Sequence, residues 1–181
     1  MKKHIFSIVA LLFLVQGINA QKYFTRTGIT EFKASVEAFE PVEAINKSTS
    51  VVFKTDTGEL AALLLMKAFH FEVALMQEHF NENYMDSDKY PKATFKGKIQ
   101  DFDFESVSSN KEYILKGTLT VRGVKKEIKT KANIVKGENK LRIASKFSVT
   151  PQEFGIKIPS IVRKKIAEKI NINLHYELSK K

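Results

Sequence analysis

Residues 112–149 decide the fold, and they read EYILKGTLTVRGVKKEIKTKANIVKGENKLRIASKFSV. From residue 127 to 134, and again from 140 to 149, apolar or small residues alternate with polar or charged ones. This period of two is typical of β-strands that turn one face to an interior and the other to water. Arg122-Gly123 is a two-residue link with glycine where a positive φ is needed, and Lys136-Gly137-Glu138 forms the next turn. The stretch predicts three consecutive antiparallel strands.

The same alternation extends to both sides of this stretch. Further strands are predicted at residues 23–39 (with a break at Gly28 left open), 49–55, 60–71, 93–102 and 171–178. Asp56-Thr57-Gly58 is another hairpin turn, and Gly97 and Gly117 lie inside strands, where glycine often marks a bend or a close approach. No helix of the size needed for a βαβ unit separates the strands, so a parallel sheet is not expected. About eight long antiparallel strands predict a closed, meandering barrel, since closure removes exposed edges.

Two segments depart from the period of two. Residues 72–84 carry apolar side chains at helical spacing, and residues 159–168 begin with a proline, which suits the first turn of a helix. The apolar residues concerned are Val73, Leu75, Met76 and Phe80 in the first segment and Ile161, Val162 and Ile166 in the second. We therefore predict one or two short helices that cover the barrel ends and are candidates for a lid.

The first twenty residues have the layout of a secretory signal. Met1-Lys2-Lys3-His4 is a short positive start, residues 5–15 are almost wholly apolar, and Ala20 is a small residue suited to cleavage. The apolar run is too short to cross a bilayer, which takes about twenty residues. A buried N-terminal helix is the alternative, but it would need a polar face. We predict cleavage near Ala20, a periplasmic or secreted protein, and a single domain over residues 21–181.

The composition excludes several classes of function. The chain has 181 residues, of which 43% are hydrophobic and 28% charged, as in a folded protein. It has no cysteine, which excludes disulfides, thiolate metal sites, iron–sulfur clusters and cysteine nucleophiles. The net charge is +10, and removal of Lys2 and Lys3 with the signal leaves 28 basic and 20 acidic residues, a charge of +8.

This positive charge has three possible explanations. The basic residues concentrate on two neighbouring strands, as Lys125, Lys126, Lys129 and Lys131 on one and Lys140, Arg142 and Lys146 on the next. Nucleic acid is not expected, because export argues against it and no aromatic-plus-basic RNA motif occurs. A solvated outer face of the barrel is the favoured interpretation. Peripheral attraction to an anionic membrane surface is the alternative.

Catalytic and metal-binding patterns are missing from the sequence. His70 and His79 are nine residues apart, which fits neither an i,i+4 helical pair nor zinc-finger spacing, and His175 is remote in sequence. No serine lies in a Gly-x-Ser-x-Gly sequence, the mark of many serine hydrolases. Asp86 and Asp88 lack the other ligands of a calcium loop and are better explained as turn residues. We therefore predict that the protein is not an enzyme and that it holds neither a cofactor nor a metal ion.

An apolar surplus is the main clue to function. Residues 60–66 (LAALLLM) are apolar on both faces of a strand, so one face must cover a helix, a partner or the barrel's own packing. The candidates for inward-facing positions are Phe53, Leu65, Phe69, Phe95, Ile99, Leu115, Leu119, Ile143 and Phe147. Eight-stranded barrels can be solid or can hold one small ligand. The residues alone leave both alternatives open.

Three stretches together carry a family resemblance. They are residues 80–95 (FNENYMDSDKYPKATF), 117–126 (GTLTVRGVKK) and 154–156 (FGI). In this order and spacing they resemble the YceI-like family of exported bacterial lipid-binding proteins, over roughly residues 53–178. The resemblance implies a lipocalin-like, eight-stranded antiparallel barrel. It also implies that the lumen binds a polyisoprenoid or another long-chain amphiphile.

The resemblance turns the inward-facing residues into candidates for ligand contact. We predict an exported binding protein that sequesters or carries a polyisoprenoid, a quinone tail or a similar amphiphile in the barrel lumen. The alternative is a solid-cored structural or partner-binding barrel of the cell envelope without a small-molecule ligand. The oligomeric state stays open.

Overall fold

The computed structural model describes residues 21–36, 38–108 and 111–181, so the predicted signal segment lies outside the described residues. The strands are β1 (Lys22–Ser35), β2 (Glu43–Lys54), β3 (Glu59–Leu65), β4 (Lys92–Ile99), β5 (Glu112–Val121), β6 (Val124–Lys136), β7 (Lys140–Val149) and β8 (Ile166–Lys180). Each strand pairs antiparallel with its neighbour in sequence, and β8 closes onto β1. The predicted lipocalin-like, eight-stranded antiparallel barrel is confirmed.

Alternation along the strands separates the interior from the solvent. In β7, Leu141 and Ile143 are buried, whereas Lys140 before them and Arg142 between them are exposed. This arrangement is the one that the period of two predicts. The β5–β6 hairpin turns at Arg122 and Gly123, with φ values of 49° and 76°. Two consecutive positive φ values match the right-handed twist of the flanking strands, so the predicted hairpin is confirmed.

The basic residues of β6 divide between the two faces of the barrel. Lys125, Lys129 and Lys131 are exposed on the outer face, where Lys131 Nζ lies 2.7 Å from Glu112 Oε2. Lys126 stands opposite Leu119 and therefore lies on the inner side, near the end of the barrel where β5 turns into β6. The favoured interpretation, a solvated outer face, therefore does not hold for Lys126, because this residue points to the same side of β6 as Ile128 and Ile134.

One of the two predicted helices forms. Helix α1 (Ala74–His79) continues into a π-helical turn, Phe80–Tyr84, as predicted for residues 72–84. The helix predicted at residues 159–168 is wrong: a turn and a short 3-10 segment, Arg163–Lys165, lead directly into β8. Ile166 there pairs with Ser35 of β1. Closure of the barrel requires a long last strand, and this requirement overrides the helical spacing of the isoleucines.

The two ends of the barrel differ. At one end, which we call the packed end, residues 100–108 cover a solid core, with Phe102 edge-on to Phe53 at 5.0 Å between ring centroids. At the other end, which we call the open end, Phe32 of β1 meets three rings that follow β3 and α1. These rings are Phe69, Phe71 and Phe80, at centroid distances of 5.5, 5.5 and 5.4 Å.

Candidate functional site

A cavity of about 360 Å³ occupies the barrel between the packed end and the open end. Its wall comes from β1 and from β3 to β8, together with the segments that follow β3 and β7. The lining is almost wholly apolar, because the inner faces of the strands carry the apolar half of each alternation. Such a cavity suits a hydrocarbon chain rather than a polar metabolite.

The floor of the cavity is the inner edge of the packed core. Leu60, Leu115, Ile143 and Tyr176 belong to that core and also line the cavity. Above the floor, the walls rise through residues that the open-end cluster packs against, including Leu64 and Ile172. The packed core therefore closes the lumen at one end, and the lining extends from there to the open end.

Two glycines shape one wall. Gly97 of β4 and Gly117 of β5 stand directly opposite each other. A Cβ atom built on them would lie 2.6 and 2.7 Å from Cζ of the Phe95 ring, which is closer than real Cβ contacts. The missing side chains allow this ring to lie against the sheet. The predicted close approach at these glycines is confirmed, and it keeps the ring from projecting farther into the lumen.

A small group of hydroxyls lies at the floor. Thr30 Oγ1 lies 3.2 Å from the hydroxyl of Tyr176 and 2.9 Å from Thr49 Oγ1. Burial raises the pKa of Tyr176 to about 12, and the hydrogen bond with Thr30 opposes this shift. The phenol is therefore neutral over the physiological pH range. Nearby, Ser145 Oγ donates to the carbonyl of Lys131 at 2.7 Å, so the polar atoms near the floor already have partners in the protein.

The open end is covered by two segments. The first contains α1 and contributes Met76, His79 and Phe80 to the lining. The second follows β7 and contributes, among others, Phe154 and Ile158. This second segment is fastened to the β5–β6 turn, because Arg122 Nη1 donates a hydrogen bond to the Gly155 carbonyl at 3.0 Å. The cover is built from short irregular elements rather than from the strands.

The structure places six of the nine predicted lumen residues on the cavity wall. They are Phe69, Phe95, Leu115, Leu119, Ile143 and Phe147. Phe53 and Ile99 do point into the barrel, but they are fully buried in the packed core and do not line the cavity. That any of these residues contacts a ligand stays a prediction.

The prediction for Leu65 is wrong. Its side chain is 45% exposed, whereas Leu60 and Met66 are buried and line the cavity together with Ala62 and Leu64. Neighbouring residues of a strand point to opposite faces, so Leu65 lies on the outer face of β3. Since this strand is apolar on both faces, hydrophobicity could not identify the inner one.

Several lining residues were not among the candidates. Tyr176 and Thr30 were missed because an alternation pattern does not distinguish a floor residue from any other inward residue. Phe154 and Ile156 carry part of the family resemblance and line the cavity, but their place in an irregular segment gave no periodicity from which to assign them.

The histidines are distributed over different parts of the barrel. His79 lines the cavity, and His175 is exposed on β8 between the inward residues Leu174 and Tyr176. The described ranges contain no group of three or more histidine, cysteine, aspartate or glutamate side chains placed to hold a metal ion. Asp86 closes a turn, in which its carbonyl accepts hydrogen bonds from the backbone of Lys89 and Tyr90. Within the part of the chain that the structure describes, no helix is long and apolar enough to cross a membrane.

Comparison with protein families identifies most of the chain as one known domain. A family model described as a YceI-like domain matches residues 17–178. The comparison with curated proteins found no match.

Solved structures share the fold. A polyisoprenoid binding domain from Saccharophagus degradans implicated in plant cell wall breakdown has a TM-score of 0.73 and 11% identity, with 89% of this chain and 99% of that one covered. BcnA from Burkholderia cenocepacia has a TM-score of 0.68 and 16% identity, with 83% and 96% covered. A YceI protein from Campylobacter jejuni has a TM-score of 0.64 and 23% identity, with 79% and 87% covered.

Proposed function

The chain belongs to the YceI-like domain family, and from this premise we propose that it sequesters or carries a long-chain hydrophobic ligand in the barrel lumen. The observation that carries the proposal is the apolar cavity, which is closed at the packed end and covered at the open end. Ligand binding here requires no catalytic group. The protein acts as a binding protein and not as an enzyme.

The chemistry of the wall defines the ligand class. Each methylene group transferred from water into such a lumen contributes on the order of 0.8 kcal/mol, so a long hydrocarbon binds tightly without specific polar contacts. The polar atoms at the floor are engaged with one another, whereas Lys165 lies where the lining reaches the open end. We expect the hydrocarbon in the lumen and the polar head at the open end. A polyisoprenoid, a quinone tail or a similar amphiphile fits this arrangement.

Export of the protein is part of the proposal. Cleavage after Ala20 would leave Gln21 as the first residue, and the Gln21 carbonyl accepts hydrogen bonds from Thr55 N at 3.1 Å and Thr55 Oγ1 at 2.9 Å. A chain that begins at Gln21 therefore retains all of β1. We expect N-terminal sequencing of protein from the periplasm or the medium to start at Gln21. Protein found only in the cytoplasm with Met1 intact would contradict export.

Extraction of the bound ligand tests the function. We expect protein purified without detergent to release a prenyl lipid or another long-chain amphiphile into organic solvent, identified by mass spectrometry. Ala62→Phe, on the cavity wall, should reduce the amount of lipid that is bound. Ala61→Phe is the matched control, because Ala61 is exposed on the outer face of the same strand. A repeatedly empty lumen that takes up no added prenyl quinone would overturn the proposal.

A partner-binding barrel is the second candidate, and one observation favours it. Phe24, Val52, Leu63 and Leu65 are exposed large apolar side chains on β1, β2 and β3. Phe24 and Val52 stand opposite each other, and exposed apolar residues that lie side by side often mark an interaction site. A folded protein with an empty lumen, and no uptake of added lipid, would favour this candidate over ligand carriage.

A further inference from the structure

The segment that connects β7 to β8 carries an unusual side chain at the open end. Ile161 is 86% exposed, more than any other large hydrophobic residue in the described ranges. A single exposed apolar residue is common on protein surfaces and by itself implies nothing. Its position within the molecule and the charge of its neighbours give this one significance.

Ile161 lies beside the mouth of the lumen. Its neighbour Val162 lines the cavity, as do Ile158 before it and Lys165 after it. The backbone between them is held in successive turns, in which Val162 N donates to the Pro159 carbonyl at 3.1 Å and Lys165 N donates to the Val162 carbonyl at 2.9 Å. The exposed side chain therefore projects from a defined turn at the rim of the lumen.

The same rim is strongly basic. Between residues 157 and 169 there are five cations and one acid, and the cations are Lys157, Arg163, Lys164, Lys165 and Lys169. None of the five forms an ion pair with another described residue. Lysines on the barrel wall differ in this respect, since Lys33, Lys54 and Lys131 each lie within 3.0 Å of a glutamate oxygen. The rim thus combines unneutralised positive charge with an exposed apolar side chain.

We propose that residues 157–169 dock the open end of the barrel onto an anionic lipid bilayer, with Ile161 among the acyl chains near the headgroups and the basic side chains on the headgroups. Each basic residue near an anionic surface strengthens binding about fivefold. A phosphate polymer would engage the cations but would leave Ile161 in water, whereas a bilayer accommodates both. The role of this docking rests on the proposed function. A lumen that opens toward the bilayer would let a hydrocarbon pass between the bilayer and the lumen without crossing water.

Vesicle flotation with the chain from Gln21 to Lys181 tests the docking. We expect binding to vesicles of phosphatidylcholine with phosphatidylglycerol, weakened by salt, and little binding to phosphatidylcholine alone. The variant Lys157→Gln/Arg163→Gln/Lys164→Gln should bind the anionic vesicles on the order of a hundredfold more weakly. Ile161→Ser should bind them about tenfold more weakly, since it removes the apolar contact.

The control triple variant has the same change of charge elsewhere. Lys98→Gln/Lys116→Gln/Lys129→Gln removes three exposed cations from the outer wall. In the register of the strands, Lys116 of β5 stands opposite Lys98 of β4 on one side and Lys129 of β6 on the other. We expect at most a threefold loss from it. Equal losses in the two triple variants would overturn the proposal, because binding would then follow net charge alone. Binding that is unaffected by Ile161→Ser would also overturn it.

The experiment separates this docking from the proposed function. Protein that holds an extractable lipid but does not float with anionic vesicles would overturn the docking alone. Protein that floats with the vesicles but never holds or takes up a lipid would overturn ligand carriage alone. Duplex DNA can be added as a competitor to the unsubstituted protein and to Ile161→Ser. If it displaces both proteins from the vesicles equally well, the rim is a general polyanion site and the docking is overturned.

Discussion

Among single residues, Gly97 and Gly117 have the clearest effect on the shape of the lumen. Both lie in the middle of paired strands, where glycine is ordinarily unfavourable because it adds conformational entropy to the unfolded chain. Here the absence of two side chains leaves room for the ring of Phe95 to lie against the sheet. The position of one aromatic ring, and with it part of the free space in the lumen, depends on this pair.

We predict that Gly117→Ala destabilises the protein by about 1–3 kcal/mol. The new Cβ would lie 2.4 Å from both Gly97 Cα and the Lys96 carbonyl oxygen, and backbone atoms cannot move aside as a flexible side chain can. Urea unfolding measures the change. Gly137→Ala is the control, because its Cβ would come no closer than 3.4 Å to Lys140 and should leave the free energy of unfolding nearly unchanged. Equal effects of the two substitutions would contradict the crowding that we describe.

Tyr176 predicts a pH dependence of stability. Its pKa is raised to about 12 in the folded protein, mainly by burial, against about 10 in an unfolded chain. Below pH 10 the phenol is protonated in the folded and the unfolded state, so its contribution to the free energy of unfolding is fully present and does not change with pH. Between pH 10 and 12 the unfolded chain ionises first, so the free energy of unfolding falls by roughly 2–3 kcal/mol over this window.

The variant Tyr176→Phe isolates this contribution. At pH 8 it should lose about 1 kcal/mol, because it removes a hydrogen bond while Thr30 keeps Thr49 as a partner. Above pH 10 it should lose stability less steeply than the unsubstituted protein, and the difference between the two curves is the quantity to measure by urea unfolding. If the free energies of unfolding of the two proteins change in parallel from pH 8 to 11, the pKa of Tyr176 is not raised in the folded protein.

At the scale of elements, two irregular segments cover the lumen at the open end. Phe80, which follows α1, stacks on Phe32 of β1 at 5.4 Å and lies 5.6 and 5.1 Å from the rings of Phe69 and Phe71. This cluster joins the segment that contains α1 to the barrel wall. Release of a ligand toward the open end requires that such contacts open or yield.

We predict that Phe80→Ala accelerates release of a bound prenyl quinone about tenfold, since aromatic contacts of this kind contribute about 0.5–1.5 kcal/mol each. Stopped-flow transfer from the loaded protein to excess lipid vesicles measures the rate. Leu75→Ala is the control on α1, because Leu75 is 56% exposed and contacts solvent more than the barrel. A release rate that is the same in both variants would mean that the ligand does not leave past this cluster.

The elements differ in how far the sequence could predict them. β5 and β7 have the predicted boundaries, residues 112–121 and 140–149, because strict alternation and turn residues define them locally. β3 ends at Leu65, earlier than the predicted residue 71, and gives way to a 3-10 turn. The spacing of Ile161, Val162 and Ile166 fits a helix, yet pairing with β1 makes Ile166 the start of β8. Local pattern gives no information about a partner strand that is more than a hundred residues away.

The candidate site was predictable only in part, for a related reason. The alternation of inward and outward positions along a strand, which we call parity, correctly predicted that Leu119, Ile143 and Phe147 lie on the wall. Parity alone does not say whether an inward side chain meets another side chain or an open space, which is why Phe53 and Ile99 were grouped with them. That distinction depends on which loop covers which end of the barrel and on the glycine pair in the wall, and no short stretch of sequence contains either.

At the scale of the whole molecule, stability and binding are assigned to opposite ends of one barrel. The packed end holds the fully buried side chains of Phe53, Ile99, Leu141 and Leu178. The cavity lies toward the open end, where several lining residues, among them Leu64, Phe80 and Ile172, are only partly buried. A barrel that was solid throughout would require every interior position for stability. The division between the ends gives an aromatic residue a different role according to its depth.

We therefore predict different outcomes for Phe53→Ala and Phe147→Ala. Phe53 is completely buried and packs on Phe102, so its truncation should cost about 3–5 kcal/mol in urea unfolding. Phe147 borders open space, and its truncation should cost clearly less, since its ring already lacks part of a packed environment. Added prenyl quinone at a hundred times its dissociation constant should stabilise the unsubstituted protein and Phe53→Ala by about 2.7 kcal/mol each, but Phe147→Ala by less. Equal losses of stability, with no stabilisation by the quinone in any of the three proteins, would instead describe a solid barrel.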